Sequence, residues 1–141
     1  MTAFFDTSVL IPVFLEDHEH HQKSWSAFVD ADKRTNYCAA HSLAEVYATM
    51  TRLPGRHRLS GEQVLLFLDN IREHLSLVAL TGEEYHSAIR DAVAAGVVVG
   101  TIYDALIARC ALKAKADTFY TWNRRHFEQF GSKIAERLRN P

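Results

Sequence analysis

Three carboxylates carry the chemistry this chain can offer, Asp6, Glu45 and Asp104, with the amide of Asn123 as a further oxygen donor. Brought together, three acids repel one another, so one must take up a proton or all must share a cation. An all-oxygen, carboxylate-rich cluster suits Mg²⁺ or Mn²⁺ rather than zinc, which prefers nitrogen and sulfur. Such an ion lowers the pKa of a water and stabilises charge on a phosphoryl oxygen during in-line attack. No Cys, Lys or Ser–His nucleophile stands out, which leaves water as the attacker. Each acid also has an ordinary explanation. Asp6, Thr7 and Ser8 form an N-cap cluster, Ser42 with Glu45 spells a capping box, and Thr101 with Asp104 fits the same cap-x-x-acid start. Thr81 with Glu84 has that spelling too and is not assigned to the site. Pattern alone leaves capping and metal binding both open.

The acids meet only if the elements before them line up. Ala3-Phe4-Phe5 reads as a short buried strand that stops at Asp6, with a helical pattern from Val9 and Pro12 in its first turn. The polar run Glu16-Asp17-His18-Glu19-His20-His21 leads into a helix expected to bury Trp25, Phe28 and Val29. Residues 37–40 read as a second strand, followed by a helix through Met50 that ends at the Pro54-Gly55 breaker. Ser60 and Gln63 start a capped helix with Val64, Leu68, Ile71 and Leu75 on one face. Residues 77–80 are expected as a third strand, before a helix burying Tyr85, Ala88, Ile89, Ala92 and Val93 and ended by Gly96. The helix around Asp104 has Ile102, Leu106 and Cys110 as its stripe, widened by Tyr103 and Ile107, so most of it should be buried. Residues 116–120 are the fourth strand and residues 133–135 a last edge strand. Strands alternating with helices imply a mostly parallel sheet covered on both faces, an α/β fold built as a three-layer α/β/α sandwich. In such a sheet the strand ends and the following helix starts share one edge, where ligands bind.

Bulk properties narrow the function. The chain has 141 residues, a length expected to form one domain over residues 1–141, with 48% hydrophobic and 23% charged residues. Its net charge is -1, so nucleic-acid binding would need a local basic patch. Arg52, Arg56 and Arg58, with His57, form the densest one, and Arg124-Arg125 is another. Apolar runs are too short for a membrane span, and no basic leader precedes Phe4. Cys38 and Cys110 read as buried thiols, in keeping with a cytoplasmic protein. His18, His20 and His21 read as a solvated helix start ahead of a metal site, and His126 as a surface or core histidine ahead of a proton carrier.

Four stretches in register resemble the PIN domain family, and within it the VapC toxins of bacterial toxin–antitoxin pairs. They are Asp6-Thr7-Ser8-Val9-Leu10, Ser42-Leu43-Ala44-Glu45-Val46, Ile102-Tyr103-Asp104-Ala105-Leu106-Ile107-Ala108, and Thr121-Trp122-Asn123-Arg124-Arg125-His126-Phe127. The resemblance implies a Mg²⁺-dependent endoribonuclease, Mn²⁺ being the other candidate ion, with Asp6, Glu45 and Asp104 around the metal and Asn123 completing the catalytic set. Ser8 and Thr121 would be hydroxyl supports that orient carboxylates or a water. It also implies a homodimer, held in check by a cognate VapB antitoxin whose tail would lie in a groove lined by Tyr47, Met50 and Arg52. Arg52, Arg56, Arg58, Arg124 and Arg125 would hold the RNA backbone. The chain departs from the pattern at Asn123, where many PIN domains have Asp, and at His126, where another acid is common. The lost charge should weaken a second metal.

Other readings remain. A catalytically weakened PIN-like module would bind RNA or protein without cleaving. A small-molecule phosphohydrolase working through an aspartyl-phosphate at Asp6 would want a second Asp two residues on, and Ser8 stands there.

Overall fold

The strands are short, and successive residues of the three central ones alternate between two cores. The computed structural model describes residues 1–141. β1 (Ala3–Phe5), β2 (Asn36–Ala39), β3 (Ser76–Val78), β4 (Thr118–Tyr120) and β5 (Leu138–Arg139) form one sheet in the order β3-β2-β1-β4-β5, parallel throughout. The register sets Phe5 beside Cys38 on one side and Tyr120 on the other. Because successive side chains of a strand point to opposite faces, Phe5 and Cys38 enter one core while Phe4 and Ala39 enter the other.

The first core lies under α1 (Thr7–Val13), α2 (His21–Val29), α3 (Ala40–Thr51) and α4 (Gly61–His74). It buries Val9, Leu10, Phe28, Val46, Met50, Val64 and Ile71. The second lies under α6 (Thr101–Lys113), α7 (Arg124–Glu128) and α8 (Ser132–Ala135), with α5 (Gly82–Ala94) packed outside α6. Phe4, Phe119 and Phe127 pack there as tilted rings, with centroids 5.2 and 4.7 Å apart in sequence order. Full burial of each such ring contributes roughly 1.5–3 kcal/mol. The expected three-layer sandwich is what forms.

Several expectations are corrected. Residues 133–135 belong to α8, and the edge strand is β5, three residues later. On α2 the buried face carries Ser24 and Phe28, so Trp25 and Val29 are exposed. The reason is polar: Ser24 Oγ accepts the indole N–H of Trp122 at 2.9 Å, a partner that periodicity cannot reveal. On α5 only Ala88 and Ala92 are buried, and Tyr85, Ile89 and Val93 face outward. Small residues let α5 approach α6 closely, and the larger apolar ones are left on the far side. Tyr103 of α6 is likewise exposed, at 51%. Cys38 and Cys110 are free, buried thiols.

Candidate active site

The sheet changes direction at β1: the chain first builds outward through β2 and β3, then returns to place β4 on the other side of β1. A crevice opens at such a switch point, beyond the carboxyl ends of the strands. Asp6 follows β1 there and is 3% exposed. Its Oδ2 accepts hydrogen bonds from Ser8 Oγ and Thr121 Oγ1, both at 2.8 Å. Those hydroxyls are themselves aimed by backbone donors. The Trp122 N–H bonds to Ser8 Oγ at 3.0 Å, and the Asn123 N–H to Thr121 Oγ1 at 2.9 Å. Each hydroxyl therefore receives a proton from the backbone and gives its own to Asp6. Although Asp6 occupies the N-cap position of α1, its side chain makes no capping bond.

Glu45 is held from the same strand end. Thr7 Oγ1 lies 2.8 Å from both Glu45 Oε1 and Ser42 Oγ. A hydroxyl has one proton, so Thr7 donates to the carboxylate and accepts from Ser42. The capping-box reading of Ser42 and Glu45 thus fails: α3 begins at Ala40, its cap residue is Ala39, and Ser42 is fully buried inside the helix. The cap reading of Thr101 and Asp104 fails as well, because Thr101 is already helical and Gly100 holds the cap position. Asp104, half-buried, has His126 Nδ1 at 3.6 Å from its Oδ2. That is an ion-pair distance, too long for a hydrogen bond.

Charge accumulates here, and no lysine or arginine forms a salt bridge with these acids. Burial pushes the Asp6 carboxyl up to about 6; the Ser8 and Thr121 hydroxyls pull it down, and the Asp104 charge pushes it further up. Burial also lifts Asp104 above the ordinary carboxylate range; His126 opposes this and Glu45 adds to it. Asp104 is therefore coupled to both other acids. Yet no three His, Cys, Asp or Glu side chains converge closely enough to hold an ion by themselves. The arrangement is a loose acidic rim around one buried, hydroxyl-braced carboxylate. That fits a cation bound through one or two carboxylates with water completing its shell, the habit of Mg²⁺.

The PIN domain profile matches residues 3–133 of the chain. The chain belongs to the PIN domain family. It is similar to ribonuclease VapC40 of Mycobacterium tuberculosis, 34% identical over 111 residues and covering 79% of each chain. Ribonuclease VapC27 of the same organism is 31% identical over 115 residues, covering 79% of this chain and 78% of that one. Among solved structures, VapBC2 of Rickettsia felis, bound to a DNA fragment from its promoter, shares the fold with a TM-score of 0.62. The match has 19% sequence identity and covers 99% of this chain and 98% of that one.

The remaining residues singled out in the sequence separate into near and far groups in this PIN domain. Asn123 is exposed at the start of α7; its backbone N–H braces Thr121, and its side chain makes no capping bond. Arg124 and Arg125 are exposed beside it and line a shallow cleft of about 380 Å³ with Trp122, Asn123, His126 and Asn140. His126 is exposed, as a surface histidine would be, and it also connects that cleft to Asp104. Arg52, Arg56 and Arg58 lie elsewhere. Arg52 follows α3 at its far end, with Arg56 in a 3-10 turn (Gly55–His57) and Arg58 beyond it. Seven residues of helix separate Arg52 from Glu45, roughly 10 Å along the axis. Met50 is fully buried and lines no groove, whereas Tyr47 is exposed. The three clustered histidines have separate tasks: His20 stacks on Trp122, His21 bonds the Pro12 carbonyl, and His18 accepts from the His20 backbone.

Thr7, Ser42 and Trp122 were missed as functional side chains by sequence reasoning. Thr7 had a visible signal, since Asp6-Thr7-Ser8 puts three oxygen-bearing side chains in a row at a strand end. Ser42 and Trp122 had none apart from the family motifs they sit in.

Proposed function

We propose that the chain is a VapC-type endoribonuclease that cleaves a phosphodiester by attack of water, with a divalent cation in the acidic rim of Asp6, Glu45 and Asp104, bound directly by one or two of these carboxylates and otherwise through water. The observation that carries the reading is the coupled acidic rim around Asp6, whose carboxyl is pushed to about 6 although two hydroxyls donate to it. Burial is the main cause of that rise and the Asp104 charge a lesser one, and a cation at the rim would offset the cost of ionising the buried carboxyl. Membership of the PIN family and the ribonuclease names of its relatives point the same way. Mg²⁺ is the expected ion, with Mn²⁺ the natural substitute, because all the donors are oxygen. When bound, the ion would lower the pKa of the attacking water and neutralise charge on the phosphoryl oxygen.

The protein's own residues supply the rest. Ser8 and Thr121 fix the Asp6 carboxylate, and Thr7 with Ser42 fixes Glu45. Asn123, at the mouth, offers an amide oxygen where an acid would add charge. Arg124 and Arg125 hold phosphates of the RNA beside the cleaved bond. Arg52, Arg56 and Arg58 would meet only a longer substrate. We assign the domain to the whole of residues 1–141, working in the cytoplasm; no helix is long and apolar enough to cross a membrane. A VapB-type antitoxin is the expected inhibitor. A second copy of the chain is the expected partner for the exposed Tyr85, Ile89 and Val93.

The test is cleavage of RNA by the purified protein with Mg²⁺ or Mn²⁺ against EDTA, beside Asp104→Asn. Metal-dependent cleavage lost in the variant is the expected result. Cleavage that survives both EDTA and the substitution would sink the metal reading.

A further inference from the structure

The rim of the crevice carries two parallel aromatic stacks, and they differ in how they are tied down. On one side His20 stacks on Trp122 with centroids 3.8 Å apart and planes 8° from parallel. That stack is a brace. The Trp122 indole is pinned by Ser24 and its backbone aims Ser8, so it joins α2 to the end of β4.

The second stack, His41 on Tyr103, is open. The rings are 5.6 Å apart and within 7° of parallel, and Tyr103 is 51% exposed. His41 stands on the first turn of α3, four residues before Glu45 and so on the same helix face, about 6 Å away. Tyr103 immediately precedes Asp104 on the first turn of α6. The pair therefore bridges the two helices that deliver Glu45 and Asp104 to the site. A large aromatic surface left half in water, held flat by a neighbouring ring and one residue from an acid of the site, has no packing role that explains its exposure.

We propose that the His41–Tyr103 stack is a nucleobase platform that receives an unpaired base adjoining the cleaved phosphodiester. This rests on the ribonuclease reading and deepens it. An unstacked base offers a π-face that aromatic side chains bind with little regard to sequence. A base paired in a duplex has both faces covered by its neighbours and cannot dock. The phosphate sits at the acids, Arg124 and Arg125 lie on the other flank, and the platform takes the base. Substrate preference would then follow from which bases a loop or single strand presents unstacked.

The experiment compares the wild type with Tyr103→Ala and Tyr103→Phe on short single-stranded oligoribonucleotides spanning a mapped cleavage site. Each is prepared intact and with an abasic nucleotide on either side of the cleaved bond. Tyr103→Ala should raise KM on intact RNA by on the order of ten- to a hundredfold, with kcat little changed. Tyr103→Phe, which keeps the ring, should stay near the wild type. On the abasic RNA that replaces the docked base, wild type and Tyr103→Ala should become equal. The platform is wrong if the alanine defect persists on every abasic substrate, or if phenylalanine fails as badly as alanine. It is also wrong if Tyr103→Ala changes the oligomeric state in sedimentation, since the ring then serves a protein contact. A wild type that cleaves nothing in Mg²⁺ or Mn²⁺ would count against the nuclease itself. In that case binding of the same oligonucleotides in EDTA decides the platform, and equal affinity of wild type and Tyr103→Ala overturns it.

Discussion

Ser42 with Glu45 and Thr81 with Glu84 are spelled alike, a hydroxyl followed three residues later by glutamate, and the fold uses them in opposite ways. Thr81 is a true N-cap: its hydroxyl accepts the Glu84 N–H and the Glu84 carboxylate accepts the Thr81 N–H. Lys113 then bonds the same Glu84 carboxylate at 2.6 Å and holds it below its ordinary pKa. Every charge there has an answer. Ser42 instead is the third residue of its helix, buried, and reaches sideways to Thr7, which holds Glu45. Glu45 raises the pKa of Asp104, and Asp104 raises that of Asp6. The surface pair commits its carboxylate to the helix cap and to Lys113, while Ser42 and Thr7 fix the half-buried carboxylate that the proposed function assigns to the cation.

The comparison breaks most visibly at Glu45. Glu45→Gln should lower RNA cleavage by on the order of a thousandfold, from the loss of one charge at the cation. A variant that keeps more than a tenth of wild-type turnover would remove Glu45 from the site.

Asp6 tests the proposed cation site through pH. In the fold its carboxyl is pushed to about 6 from an ordinary 3.8. Between those values the folded state binds more protons than the unfolded one, so the metal-free protein should lose stability as pH rises from about 4 to about 6. Asp6→Asn removes that cost. Denaturant titrations in EDTA should find the variant more stable by on the order of 2–3 kcal/mol at pH 7.5, with the gain vanishing near pH 4. Added Mg²⁺ should then stabilise the wild type and leave the variant unchanged. An Asp6→Asn protein less stable than the wild type at pH 7.5 would mean that the carboxylate is satisfied without metal.

Thr7→Val sharpens the contrast, because it removes only the hydroxyl that aims Glu45. Metal affinity, read by isothermal titration, should fall by about 10–100-fold, the usual cost of losing a supporting bond behind a ligand. Unchanged affinity would assign Thr7 to packing alone. The smallest effect is expected at the true cap. Thr81→Ala should cost about 1 kcal/mol of stability and leave cleavage untouched. A loss of cleavage there would mean that α5 communicates with the crevice.

Much of the frame was readable in advance because it rests on local patterns. Ala3–Phe5 ends where an acid interrupts an apolar run, and the boundary after Phe5 matches the structure. Ser60 with Gln63 caps α4 as its spelling suggests. The failures have a common cause. Trp25, Tyr85, Ile89 and Val93 are apolar at helical spacing, but which face of a helix is buried depends on what lies opposite. Opposite α2 is Trp122, which needs a hydroxyl, and the side of α5 turned to α6 carries Ala88 and Ala92.

The chain's own order of residues determined the kinds of element, their alternation and hence a parallel sheet, along with the acids that end its strands. Those features follow from backbone sterics, side-chain alternation and the burial of apolar runs, which act over a few residues. Only the tertiary structure decided which hydroxyl–acid pairs are caps and which are braces, that Thr121 meets Asp6 across 115 positions, and that Tyr103 lies open on His41. A hydrogen bond or a charge coupling depends on distance in space, and the switch in strand order at β1 sets those distances.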